Sequence, residues 1–222
     1  MSVGRALAAA ALGVMLLASC ASSPSITVPP ADPGSYLHVV VVAPGDATYA
    51  PSGNRWTIYL DGFIDAGAVG RLAGVIDREK IANATVYFNS PGGHLVTAMA
   101  VGRLLRARRF ATNVGAQTDH VEQPGAGACY SACPFAYAGG VRRSLAAGSE
   151  IGVHRAENNV PIPDASAFQQ VVSQQVSGYL MEMGISKEFL AIMSQVPHDS
   201  IRVLTLAEAE RLHLVNEARA AP

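Results

Sequence analysis

A serine lies midway between two cysteines in the segment GACYSACPFAYAGG, residues 127–140. Because proline is tolerated only in the first turn of a helix, Pro134 predicts that a helix begins near Ala132. Ser131 then lies at the tip of a strand-turn-helix, where a serine can be the nucleophile of an acyl-transfer enzyme. It can also be an ordinary helix N-cap, and the segment alone leaves both interpretations open.

The base for such a nucleophile is predicted from the segment EIGVHRA, in which His154 ends an apolar strand. A histidine at a strand end, one strand along from a candidate serine, has the placement that a Ser–His pair needs. A single histidine in such a segment is often structural, so the pairing is a hypothesis that depends on the fold.

A glycine-rich turn follows another predicted strand, in the segment YFNSPGGHL. Pro91 fixes φ, whereas Gly92 and Gly93 allow positive φ and leave the backbone N–H groups unshielded. Such N–H groups beside a helix N-terminus can hold an anion, and in an acyl-transfer enzyme they form the oxyanion hole. The alternative is a tight strand-to-helix turn that binds nothing.

Cys129 and Cys133 flank the serine, and three arrangements are open for them. They can form a disulfide if their Cα atoms lie within about 7 Å. They can also be small buried thiols, or they can bind a metal together with His154. Two cysteines and one distant histidine are a weak zinc signal, so no metal site is predicted. We favour the disulfide, which would fix the turn around Ser131.

The first 20 residues, MSVGRALAAAALGVMLLASC, are typical of an export signal, with one early positive charge and an apolar run. The run is shorter than the roughly 20 apolar residues that span a bilayer. Its end, Leu17-Ala18-Ser19-Cys20, resembles the lipobox of bacterial lipoproteins, in which the cysteine is lipidated and becomes the N-terminus. We predict a lipoprotein signal peptide over 1–19 and lipidation of Cys20. The alternative is an ordinary cleaved signal with a chance cysteine.

Either signal takes the mature chain out of the cytoplasm, to a compartment where disulfides form. With Cys20 lipidated, the predicted location is the cell envelope, anchored by the lipid to a membrane and facing the periplasm. Residues 20–35 are rich in Ser, Pro and Ala, which predicts a flexible tether. Residues 36–222 are predicted to be a single domain. The 222-residue chain has a formal net charge of −1, which argues against a nucleic-acid partner because phosphate binding needs a concentrated basic patch.

Hydrophobic patterns predict that strands and helices alternate along the domain. Such strand-helix-strand crossovers build a parallel sheet covered by helices, so the predicted fold class is α/β. Asp65 is the predicted N-cap of the first helix. Strands are predicted at 36–42, 56–62, 84–90, 110–116, 150–156 and 201–204, and helices at 65–80, 94–108, from about 132, 165–183, 187–195 and 206–212.

These segments, in this order, resemble the Clp-protease and crotonase superfamily, and the Clp serine peptidases in particular. YFNSPGGHLVTAMAVGRLL is similar to that family's signature strand, Pro-Gly-Gly turn and helix, and GACYSACPFAYAGG lies where the family has its nucleophile turn. The match runs from about Arg55 to Asn216. The resemblance implies a ClpP/crotonase-like spiral of ββα units, with a mostly parallel sheet flanked by helices, in an exported bacterial lipoprotein.

When the family's site residues are matched to this sequence one by one, the resemblance implies that Ser131 is the nucleophile and His154 its general base. It also implies that the backbone N–H groups of Gly93 and Ala132 form the oxyanion hole.

The orienting aspartate of the family falls, in register, on Ile201, which cannot orient an imidazole. Asp199 lies two residues earlier and shares a face with Ile201 if the segment is an extended strand. Asp199 is therefore the candidate for the third catalytic residue.

We therefore predict a membrane-tethered serine hydrolase, a Clp-like peptidase that acts on peptide or protein substrates by acyl transfer and needs no cofactor. The alternative is a binding or assembly protein of the cell envelope in which the fold is kept and the site is vestigial. The departure at Ile201 favours this alternative, whereas the retained Ser131 and His154 favour the enzyme. The resemblance also implies homo-oligomers, because crotonase-like folds form trimers and Clp peptidases form rings.

Overall fold

The computed structural model of the protein describes residues 25–26, 36–45, 55–118, 124–156 and 165–217. The predicted signal peptide, Cys20 and most of the predicted tether lie outside these residues. The strands are β1 (Ser25–Ile26), β2 (Leu37–Val42), β3 (Trp56–Gly62), β4 (Ala84–Asn89), β5 (Ala111–Val114), β6 (Ala128–Tyr130), β7 (Glu150–Val153) and β8 (Ile201–Val203). The helices are α1 (Ala68–Arg78), α2 (Leu95–Ala107), α3 (Cys133–Tyr137), α4 (Ala165–Glu182), α5 (Glu188–Gln195) and α6 (Leu206–Arg211).

The first sheet has the strand order β2-β3-β4-β5. β3, β4 and β5 are parallel, and α1 and α2 connect them. Helix α1 buries Ala68, Leu72 and Ile76, because a spacing of four residues places them on one face. β2 pairs antiparallel with β3 at the edge. The carboxyl ends of β3 and β4 meet at one edge of the sheet, where Asp61 lies opposite Asn89.

The second sheet has the order β1-β8-β7-β6, and it makes the fold mixed rather than mostly parallel. β6 and β7 are parallel, but β8 runs antiparallel to β7, and β1 antiparallel to β8. The reason is that the chain turns back beside the end of β7, where the Arg155 N–H donates to the Val196 carbonyl (3.0 Å). The α/β class with helices flanking the sheets is confirmed, whereas the mostly parallel sheet is wrong. β1 also places two residues of the predicted tether in a sheet.

Asp65 is not the N-cap of α1, since Gly67 occupies that position. The Asp65 carboxylate instead accepts hydrogen bonds from the N–H groups of Leu37 and Gly67 and pairs with Arg71. The hydrogen bond from Arg71 is the main cause that holds the pKa of Asp65 well below its usual value. These contacts fix the segment after β3, which carries Ile64 and supports the candidate site described below.

One main hydrophobic core lies between the sheets and the helices, and its largest fully buried side chains include Tyr137, Tyr179 and Phe88. Tyr59 and Tyr87 alternate with core residues along β3 and β4, so they lie on the opposite face of the first sheet and stack on each other there. Among the helices of the described ranges, none has the length and apolar character that a bilayer-spanning helix requires.

Candidate active site

The turn that carries Ser131 is a sharp reversal between β6 and α3. Ser131 has a φ of 58°, a left-handed conformation that few non-glycine residues adopt and that is concentrated at functional sites. Its N–H donates to the Gly152 carbonyl (3.1 Å), which fixes the turn to the neighbouring strand β7. The N-cap of α3 is Ala132, and no side chain caps this helix. The interpretation of Ser131 as an N-cap is therefore wrong.

The hydroxyl of Ser131 lies against His154, with Oγ 2.6 Å from Nε2. β6 and β7 are parallel neighbours with Tyr130 opposite Gly152, so both side chains follow the carboxyl ends of adjacent strands. His154 is buried, with 8% of its surface exposed. In the neutral imidazole that carries its proton on Nδ1, Nε2 accepts the hydrogen bond of the hydroxyl. This is the contact through which a histidine acts as general base for a serine.

The glycine turn after β4 stands directly against the nucleophile turn. Gly92 and Gly93 have φ values of 110° and 143°, which favour glycine. A Cβ on Gly92 would lie 2.6 Å from Ser131 Cβ and 3.0 Å from the Ala132 nitrogen, so a side chain at this position would displace the nucleophile. The Gly92 N–H donates to Oγ of the buried Ser90 (3.2 Å), which holds the turn in place.

Two backbone N–H groups at these turns are suited to hold an oxyanion. Gly93 forms a parallel bridge with Ile64. In this bridge the Ile64 N–H donates to the Gly92 carbonyl, and the Ile64 carbonyl accepts the His94 N–H. The Gly93 N–H is therefore directed away from Ile64. Neither this N–H nor that of Ala132 donates to another of the described residues. Donors left unused beside a serine nucleophile are what an oxyanion hole requires.

A side-chain bridge that the sequence pattern did not predict joins the two sheets beside the site. The Asn89 side chain donates from Nδ2 to Asp61 Oδ2 (2.8 Å), and its Oδ1 accepts the Ala128 N–H (3.1 Å). The backbone of Ser90 adds bonds to the Ala128 carbonyl (2.7 Å) and from the Tyr130 N–H (3.0 Å). β6 is thereby fixed next to β4. The available signal was an amide at the end of a buried strand, directly before the glycine turn.

Among the described residues, no hydrogen bond or ion pair joins Asp199 to His154, and the Asp199 carboxylate is bonded to Ser200 instead. Pro197–Ser200 is a turn closed by a hydrogen bond from the Ser200 N–H to the Pro197 carbonyl (3.2 Å), and β8 begins only at Ile201. The expectation that Asp199 and Ile201 share a strand face is therefore wrong. Asp199 is exposed, and its carboxylate accepts a hydrogen bond from Ser200 Oγ (3.1 Å). The residue of this turn that meets His154 is His198.

Cys129 and Cys133 lie on either side of the nucleophile turn, at the end of β6 and the start of α3. Both are fully buried, their Cα atoms are 5.2 Å apart, and their sulfurs lie at disulfide-bonding distance (1.97 Å). Within the part of the chain that the structure describes, no three or more His, Cys, Asp or Glu side chains are grouped as metal ligands. Of the three arrangements open from the sequence, the geometry is that of the disulfide.

A groove of about 340 Å³ opens beside the segment that follows His154. It lies between α4 and α5, and its lining mixes apolar side chains with a serine on each helix and the cation Arg155. The lining side chains include Arg155, Val172, Val176, Leu190, Met193 and Ser194. The volume lies within the range of ligand-binding clefts.

Comparison with known proteins supports the fold, and the chemistry is inferred from the geometry of the site. No protein-family model and no curated protein matches the chain. Among solved structures, the chain is similar to a serine-to-alanine mutant of 1510-N, a membrane-bound stomatin-specific protease. The identity is 14%, the TM-score is 0.50, and the match covers 71% of this chain and 75% of that one. At this identity the likeness concerns the fold alone. The chain therefore has a mixed α/β fold that it shares with a solved protease.

Proposed function

We propose that the protein is a membrane-tethered serine hydrolase of the Clp-like peptidase type, acting by acyl transfer. The observation that carries the proposal is the 2.6 Å contact between Ser131 Oγ and His154 Nε2, at a serine held with positive φ. A hydroxyl–imidazole contact on a strained turn, next to backbone N–H groups that donate to none of the described residues, is the arrangement of a serine nucleophile and its base. The likeness in fold to a solved protease supports the same conclusion.

The reaction follows from these positions. Ser131 Oγ attacks the carbonyl carbon of the substrate while Nε2 of His154 takes the hydroxyl proton. The backbone N–H groups of Gly93 and Ala132 stabilise the oxyanion of the tetrahedral intermediate. Its collapse breaks the bond to the leaving amine, which receives the proton from His154 and leaves an acyl ester on Ser131. Water, deprotonated by His154, then releases the acid and restores the serine.

A peptide substrate is favoured by the groove next to Arg155 and Ala156, the two residues that follow His154. The apolar part of its lining, which includes Val176, Leu190 and Met193, suits a hydrophobic side chain of a polypeptide, and its two serines can bond the backbone of that chain. The structural neighbour is itself described as a membrane-bound protease, which agrees with a polypeptide substrate.

A fluorophosphonate probe tests the proposal, because it forms a stable phosphonyl ester only with an activated serine. We expect the native protein to gain one adduct, located on Ser131 by mass spectrometry of the digested chain. Heat-denatured protein is the control and should gain none, since unfolding separates Ser131 from His154. A native protein that stays unlabelled in both oxidised and reduced form would contradict the hydrolase and favour the binding protein.

We also propose that the chain is an envelope lipoprotein with Cys20 lipidated and Cys129 bonded to Cys133. The sequence holds three cysteines. If all three are engaged, the mature protein, extracted from membranes and denatured without reductant, has no free thiol. Reduction should expose the thiols of Cys129 and Cys133 only, because the thioether at Cys20 resists it.

Thiol counting with a maleimide reagent separates the two parts of this prediction. Thiols that react before reduction would contradict the disulfide. A reactive thiol at Cys20 after reduction would contradict lipidation. The Cys20→Ala variant is the matched control, since it should leave the thiol count after reduction unchanged while the protein leaves the membrane fraction.

A further inference from the structure

His198 is placed by long-range contacts at the position from which it meets His154. The turn Pro197–Ser200 is fixed at its start by the bond between Arg155 N–H and the Val196 carbonyl (3.0 Å). It is fixed at its end by the pairing of β8 with β7, where Arg202 lies opposite Val153. His198 and Asp199 are the two central residues of this turn. The structure directs the first toward His154 and exposes the second.

The contact is an aromatic one in a largely dry environment. The ring centroids of His154 and His198 lie 4.7 Å apart and the planes are tilted by 58°. The Nδ1 atoms of both rings are shielded from solvent, and His198 is half-buried. Tilted ring pairs at this separation are attractive and restrict the orientation of both rings.

We propose that His198 is a positioning residue that keeps the imidazole of His154 on Ser131. The inference rests on the proposed hydrolase function. Rotation of His154 about its side-chain bonds would carry Nε2 away from Oγ, and small misplacements of a catalytic group reduce rates strongly. The ring of His198 packs against His154 and limits that rotation. It acts through His154 and does not touch the substrate carbonyl.

Three variants test this role through the kinetics of fluorophosphonate labelling, with inactivation rate and probe affinity measured separately. His198→Ala removes the ring, and we expect the maximal inactivation rate to fall about tenfold while probe affinity stays the same. His198→Phe keeps an aromatic ring and should recover most of the rate. Asp199→Asn, at the adjacent exposed position of the same turn, is the matched control and should match the parent protein.

NMR signals of the histidine rings test the contact between His154 and His198 without any reaction at Ser131. In the parent protein and in His198→Phe, the His154 ring signals should be displaced by the neighbouring ring. In His198→Ala they should move toward the positions of an unstacked histidine.

Three results would overturn the proposal: a His198→Ala rate within about twofold of the parent, a His198→Phe rate as low as that of His198→Ala, or unchanged His154 ring signals in His198→Ala. An unlabelled parent protein would instead overturn the hydrolase function, and with it a positioning role in that reaction. The ring signals would then still decide whether His198 holds His154.

Discussion

Replacing His154 by alanine should lower the rate at which a fluorophosphonate phosphonylates Ser131 by about 10³-fold. The hydroxyl is a weak nucleophile until a base takes its proton, and Nε2 of His154 is the group in contact with it, at 2.6 Å. Because Gly93 and Ala132 keep their N–H groups in this variant, a residual rate above that of free serine is expected. The rate is measured as the second-order constant for probe labelling.

His213→Asn is the control for this experiment, because His213 is an exposed histidine at the end of α6 with a φ of 58°, which asparagine tolerates. It should label at the parent rate. Adding Ser131→Ala to His154→Ala should abolish the residual labelling, since it removes the oxygen atom to which the probe attaches. A His154→Ala protein that is folded and labels within about tenfold of the parent would contradict the assignment of His154 as the base.

Replacing Gly93 by alanine should lower the free energy of unfolding by about 3 kcal/mol and also remove most labelling of Ser131. The residue has a φ of 143°, and an added Cβ would lie 2.4 Å from the Ile64 carbonyl oxygen and 2.7 Å from the Ile64 nitrogen. Both contacts are with backbone that Asp65 and Arg71 hold in place, so the clash cannot be relieved by rotating a side chain. Moving Gly93 also moves one of the two oxyanion donors, a loss that costs about 10² in rate.

Gly184→Ala separates the two causes of this instability. Gly184 also has a positive φ, 69°, but no atom lies within 4 Å of its added Cβ. It should therefore lose only the conformational term, about 1 kcal/mol, and keep full labelling. Chemical denaturation of the three proteins measures the free energies. If Gly93→Ala were no less stable than Gly184→Ala, the tight approach of the glycine turn to Ile64 would be refuted.

The local elements could be predicted from the sequence because each depends on neighbouring residues. The alternating pattern of WTIYLDG predicts β3, and the spacing of Leu72 and Ile76 predicts α1. Pro134 correctly predicts the start of α3. The candidate Ser–His pair could also be predicted from the sequence, since each residue ends or follows a strand and parallel strands bring such ends to one edge.

The directions of the outer strands could not be predicted from local sequence patterns. Whether β8 runs parallel or antiparallel to β7 depends on where the chain re-enters the sheet after α5, and the Arg155–Val196 bond decides that. Hydrophobic patterns are the same for either direction. For this reason the sequence predicted a mostly parallel sheet and the structure has a mixed one.

The sequence by itself determined the chemistry that this protein has available: a serine on a tight turn, a histidine at a strand end and a glycine turn with open N–H groups. Only the tertiary structure decided how these parts meet. It placed Oγ and Nε2 in contact, fixed β6 beside β4 through Asn89, and brought His198 rather than Asp199 to His154. The physical reason is that the placement of one turn against another depends on contacts between residues distant in the chain, such as Asn89 with Ala128 and Arg155 with Val196, which a local pattern does not encode.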